Sequence, residues 1–162
     1  MTDQVKETIY RVAEDVFEKL AFLFSFREEE RQPMDYGSAA VASVTFTGQF
    51  EGRLALAVSE KVLPELAANM LGIEEETSRE EQQDALKELI NVVCGNLLPE
   101  LAGRKKLFNV NAPRILPPEE IGVVTAAPPA AAAKLALEDG QCDLMLYLDE
   151  GVSLDPESSE AP

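Results

Sequence analysis

The sequence predicts an α+β domain: a largely antiparallel sheet packed by two long helices and a shorter one. Three observations carry that reading. Asp3 to Phe24 repeats apolar residues at helical spacing, with Val5, Ile9, Val12, Val16 and Leu20 on one face. VASVTFTGQF and GRLALAVS alternate apolar with small or polar residues, as half-buried strands do. Two further helical segments then precede a last third that returns to strand-like alternation. The chain has 162 residues, of which 46% are apolar and 27% charged, enough to bury one real core. Residues 1–150 are expected to form a single domain, and 151–162 an acidic, disordered tail that the fold does not need.

The elements follow in order. The first helix sets Lys6, Glu7, Arg11, Glu14, Asp15 and Glu18 between its apolar positions, so it buries one face. REEERQPMDYG is polar, contains Pro33 and Gly37, and reads as a loop. Glu51 and Gly52 separate two strands as a hairpin. Ser59 is positioned to cap a short helix carrying Leu63, Leu66, Ala67, Met70 and Leu71, which Gly72 stops.

Ser78 with Glu81 three residues on is a capping-box signature, opening the longest helix, from Arg79 to Ala102. Pro99 removes a backbone donor inside it, so a bend or an early end is expected there. LFNVNAP, IGVVTAA, AAAKLALE and QCDLMLYLD are strand candidates, the last two joined by an Asp139-Gly140 turn. That turn would set Leu137 opposite Cys142 and Leu135 opposite Leu144, making one face apolar.

Charge and composition exclude several functions. Lys plus Arg total 14 against 30 Asp plus Glu, a net charge of −16, which repels nucleic-acid phosphates and anionic lipid. Neither nucleic acid nor a membrane is an expected partner. The absence of histidine removes Ser-His-Asp and Cys-His catalysis, histidine-ligated metals and phosphohistidine transfer. Cys94 and Cys142 cannot form a zinc cluster and fit a reducing compartment, and no metal site is expected. MTDQVKETIY has no apolar core of a secretion signal, so a cytoplasmic location is expected.

The informative stretch is DALKELINVVCGNLL. At about 100° per residue, Leu86, Leu89, Ile90, Val93 and Leu97 share an arc of about 100°, the buried stripe. Asp84, Glu88 and Asn91 fall within about 60° of one another on the opposite side, and Gly95 continues their line. Polar residues on a solvated face are ordinary. Asn and Gly in mid-helix are not, because both are poor helix formers. That face carries something besides helix stability, and Gly95 leaves room for a partner to approach closely.

DALKELINVVCGN resembles the signature of the CheX and CheC chemotaxis phosphatases, a superfamily that includes FliY: Asp or Ser, three residues, Glu, two residues, Asn, with a downstream proline. Here these are Asp84, Glu88, Asn91 and Pro113. FEGRLALAVSEKVLPELAANMLG is similar to the hairpin and helix preceding the motif in CheX-like proteins, so the likeness spans roughly Val44 to Pro113. Lys87 stands where the family carries a small residue, most often Gly. CheC-like members repeat the motif on their first helix. The equivalent positions here are Glu14, Glu18 and Ala21, which lack the amide, so the chain is CheX-like with one site and a structural first helix.

The resemblance implies dephosphorylation of the phospho-aspartate of a CheY-like response-regulator receiver. Asn91 would place the attacking water, and Glu88 would pair with a receiver lysine. Asp84, Gly95 and Lys87 would border the docked partner. The chain would need no cofactor of its own, because the receiver would bring Mg²⁺. A neutral carboxamide suits the task, since it can accept from water and donate to a phosphoryl oxygen without adding negative charge. The alternative is a receiver-binding adaptor of the same fold, flagellar-switch-like and without catalysis. A homodimer is expected by the same resemblance, and because an exposed strand edge invites pairing.

Overall fold

The computed structural model describes residues 2–31, 34–103 and 107–149; the tail expected from 151 lies outside them. Helix α1 (Thr2–Ala21) leads into β1 (Ser25–Arg27), β2 (Ala39–Gly48) and β3 (Gly52–Ser59). Helices α2 (Leu63–Leu71) and α3 (Arg79–Ala102) follow. Two short strands, β4 (Phe108–Val110) and β5 (Arg114–Ile115), precede α4 (Pro118–Ala126) and the hairpin of β6 (Ala131–Leu137) and β7 (Gly140–Leu148). All pairings are antiparallel, in the order β1-β6-β7-β3-β2-β4, with β5 also on β2. The fold is α+β, as expected.

One face of the sheet carries the main core. Val44, Phe46, Leu54, Leu56, Val58, Leu135, Leu144 and Leu146 pack against the buried faces of α1, α2 and α3. Residues of opposite parity on the central strands, Val41, Ala55, Ala57 and Met145, are also buried. They meet Met34, Leu116 and Ile121 from the loop and helix that cross the other face. Central strands buried on both sides read as nearly continuous apolar runs, and LALAV in β3 does so.

Several elements depart from the sequence reading, each for a local reason. The first helix stops at Ala21 rather than Phe24, because Phe22 takes a left-handed φ of 54°. Ser59 does not cap a helix. Its hydroxyl accepts from the Gln141 N–H at 2.9 Å, and α2 starts without a side-chain cap. Gly72, at φ 70°, does end α2. The capping box at Ser78 and Glu81 forms as expected. Pro99 does not end α3, which continues to Ala102, where the Gly103 N–H bonds the Pro99 carbonyl.

IGVVTAA is not a strand. It belongs to α4, because Pro118 is preorganised for the first helical turn and Glu119 and Glu120 favour its amino end. Of LFNVNAP only Phe108–Val110 is strand. The last hairpin is two residues out of the expected register: Leu137 pairs with Gly140 and Leu135 with Cys142, so Glu138 and Asp139 form the turn. A Cβ on Gly140 would lie 2.6 Å from Val62 and 2.8 Å from Ser59, so glycine is there for close packing rather than for the turn. A two-residue shift preserves parity, and the apolar face survives.

The polar loop hides a buried ion pair. Arg31 and Asp143 have side chains 7% and 3% exposed, and Arg31 Nη2 donates to Asp143 Oδ1 at 2.7 Å. The same nitrogen also reaches the Leu135 and Cys142 carbonyls, while Tyr36 donates its hydroxyl to Asp143 Oδ2 at 3.1 Å. Burial and the neighbouring carboxylate push the Tyr36 phenol above its ordinary pKa, which keeps it a donor. This pair ties the loop after β1 to the middle of the sheet. Asp143→Ala strands a buried guanidinium, and urea unfolding is expected to show a loss of about 3–5 kcal/mol. A loss below about 1 kcal/mol would mean that the loop is not anchored there.

Candidate functional site

Helix α3 positions the candidate residues because its own core demand fixes its rotation. Leu86, Leu89, Ile90, Val93 and Leu97 are fully buried, as the expected stripe requires. Cys94, Leu98 and Ala102 are buried as well, so the carboxyl-terminal part of α3 is enclosed on a wider arc. What stays outside is the line of Asp84, Glu88, Asn91 and Gly95, all exposed. Sequence spacing therefore located the four residues correctly on one face.

The polar groups on this face differ in what they already hold. Asp84 Oδ1 lies 3.4 Å from Lys87 Nζ, a loose i,i+3 ion pair. The sequence put Lys87 beside Glu88; the structure turns its ammonium toward Asp84 instead. Among the described residues, the side chains of Glu88 and Asn91 make no hydrogen bond or ion pair. Asn96 is the contrast: its amide donates to the Val92 carbonyl at 2.9 Å and is committed to its own helix. Asn91 therefore offers an uncommitted donor and acceptor, with a free carboxylate one turn before it.

Asp84, Glu88 and Asn91 lie on an exposed helix face. A cavity of about 290 Å³ lies at the start of α3, between Arg79, Gln82, Gln83, Leu63 and Ile115, and another of about 300 Å³ lies near Arg53 and Tyr147. Asp84, Glu88 and Asn91 line neither of these two. A face of this shape suits a macromolecular partner, whereas small-molecule sites are concave. A Cβ on Gly95 meets nothing within 4 Å, so no atom of the fold demands glycine there.

The other candidates resolve differently. Pro113 is half-buried between β4 and β5, two separate short pieces paired to β2; its missing N–H is tolerated at that break. On α1, Ala21 is fully buried and Glu14 is held by Arg27 at 2.7 Å, so that helix presents no second copy of the site. Cys142 is buried, and burial raises the Cys94 thiol to about 11, so neither is a ready nucleophile. Among the described residues no group of three His, Cys, Asp or Glu is placed to hold a metal, and no helix is long and apolar enough to cross a membrane.

The family model described as the chemotaxis phosphatase CheX matches residues 40–134. No curated protein matches the chain. Its fold is shared with solved structures. The chemotaxis protein CheX from Vibrio vulnificus is 15% identical with a TM-score of 0.68, over 92% of this chain and 99% of that one. CheX from Desulfovibrio desulfuricans is 12% identical, TM-score 0.66, over 90% and 99%. A CheX–CheY–BeF₃–Mg complex from Borrelia burgdorferi contains a chain 14% identical, TM-score 0.66, over 89% and 97%.

The open space at Gly95 and the exposure of Asn91 have a measurable consequence. Gly95→Ala is expected to stabilise the fold by about 0.5–1 kcal/mol in thermal melts, since Ala is the better helix former and meets no obstacle. Asn91→Ala should leave the melting temperature level or slightly higher. A marked drop in either would show that this face packs against something.

Proposed function

This chain belongs to the CheX chemotaxis phosphatase family, and from that premise we propose that it hydrolyses the phospho-aspartate of a CheY-like receiver. The observation that carries the reading is the pair of uncommitted polar side chains, Glu88 and Asn91, one turn apart on the exposed face of α3. Hydrolysis needs a water in line with the leaving carboxylate oxygen, and phosphoryl transfer is governed by positioning and electrostatics. The Asn91 amide oxygen accepts from that water while its N–H₂ donates to a phosphoryl oxygen. Glu88 pairs with a receiver lysine and sets the angle at which Asn91 enters; the pair strengthens as docking excludes water. The receiver supplies Mg²⁺. Asp84 and Gly95 border the contact. The process takes place in the cytoplasm.

Release of phosphate from phosphorylated CheY with and without the protein tests this directly. Asn91→Ala is expected to lose about 10²–10³-fold in kcat while remaining folded and receiver-competent, because it removes one positioned polar group from a preorganised site. Glu88→Gln is expected to raise KM more than it lowers kcat. Binding of CheY without faster phosphate release would support the adaptor of the same fold, and near wild-type release by Asn91→Ala would end the catalytic role of that residue.

A homodimer is part of this proposal. Among the described residues strand β1 is an edge, paired only with β6, and Phe22, Phe24 and Phe26 in and before it are 69%, 72% and 68% exposed. The charge that would guard such an edge, Arg27, is occupied by Glu7 and Glu14 of α1. Sedimentation is expected to show twice the 17.7 kDa chain mass at micromolar concentration; a species of chain mass alone would count against the dimer.

A further inference from the structure

Lys87 stands directly before Glu88 on the exposed part of α3, and its surroundings suggest a purpose. Apart from Arg79 in the first turn, it is the only cation on α3, which also carries Glu80, Glu81, Asp84, Glu88 and Glu100. Viewed down the helix, Asn91 falls between Lys87, about 40° to one side, and Glu88, about 60° to the other, one turn nearer the amino end. The uncommitted amide is thus flanked by one ammonium and one carboxylate. The Lys87 side chain is about a third exposed, its partner Asp84 nearly two thirds, and their 3.4 Å contact is not a hydrogen bond. Such a pair is readily exchanged, because exposed ion pairs are weak. A four-carbon stem can re-aim its charge without disturbing the helix.

We propose that Lys87 is a docking residue for the phosphorylated state of the partner: it leaves Asp84 and pairs with the anionic group presented opposite Asn91. The inference rests on the receiver-phosphatase reading and deepens it. A chain of net charge −16 approaching a phosphoryl group seated among carboxylates meets repulsion from every side. A local cation beside the reacting position offsets that repulsion and rewards the phosphorylated form over the bare one. Asp84 holds the ammonium on the exposed face when no partner is present. Lys87 pairs with the phosphoryl group already in the docked ground state and positions no water, so its contribution falls on binding rather than on turnover.

Binding is read with CheY carrying beryllofluoride and Mg²⁺, and turnover with phosphorylated CheY. Lys87→Ala is expected to weaken binding of loaded CheY and raise KM about three- to ten-fold, with kcat within about two-fold. Binding of unloaded CheY should change less, and the variant-to-wild-type ratio should fall toward one as salt is raised. Lys87→Arg should restore most of the affinity. Equal or tighter binding by Lys87→Ala at low salt overturns the proposal, as does an equal loss for loaded and unloaded CheY. A wild-type protein that binds loaded CheY yet releases no phosphate defeats the phosphatase reading alone, and Lys87 is then judged on binding. A wild-type protein that does not bind loaded CheY defeats both.

Discussion

The rotation of α3 about its own axis is the constraint on which everything else rests. The helix lies against α1, α2 and the sheet, and its leucines, Ile90 and Val93 leave it almost no freedom to turn. Rotating it by one residue in the direction that draws Glu88 toward the core would expose Leu86 and Ile90. Each buried leucine is worth about 1.5–3 kcal/mol, and an unpaired buried carboxylate costs more still. The solvated line of Asp84, Glu88, Asn91 and Gly95 is therefore held in place by residues that never touch a partner. Precision at the site is a by-product of core packing.

The opposite face of the sheet solves a different problem. A single layer of helices would leave Val41, Ala55, Ala57 and Met145 in water. The segment from Met34 to Ser38 and helix α4 cover them, using Met34, Leu116 and Ile121. The Arg31–Asp143 pair fastens the start of this cover to β7, with Tyr36 as third member. Such a buried pair adds little net stability over apolar residues of the same size, but it resists removal of either member alone. Its role is to fix where the loop crosses the sheet.

Electrostatics shape what the α3 face can receive. Amides and carboxylates on an acidic body offer poor long-range attraction to an anionic partner, so recognition has to come from short-range complementarity at the contact. In the proposed complex Glu88 asks for a cation and Lys87 for an anion, and the two stand on either side of Asn91. Opposite charges at fixed spacing define an orientation as well as an affinity. The missing side chain at Gly95 leaves open space just beyond them.

Fold class, the three helices and the identity of the exposed face were all legible in the sequence, because each depends on periodicity or on a cap, both local properties. The capping box at Ser78 and Glu81 and the Leu86–Leu97 stripe are the clearest cases. Tertiary contacts alone decided the rest. Gly140 marks a turn by local rules, yet it sits in a strand because Val62 and Ser59 press against it. IGVVTAA has the composition of a strand, yet a proline at its start and the need to cover the second sheet face make it a helix. Arg31 lies in a stretch of charges that reads as solvated, and only Asp143, 112 residues away, draws it inside. Lys87 has two carboxylates within one turn, Asp84 and Glu88, and in the folded chain its ammonium lies against Asp84. Local sequence determines which groups can share a helix face; which partner a long side chain takes depends on what the rest of the chain brings near it.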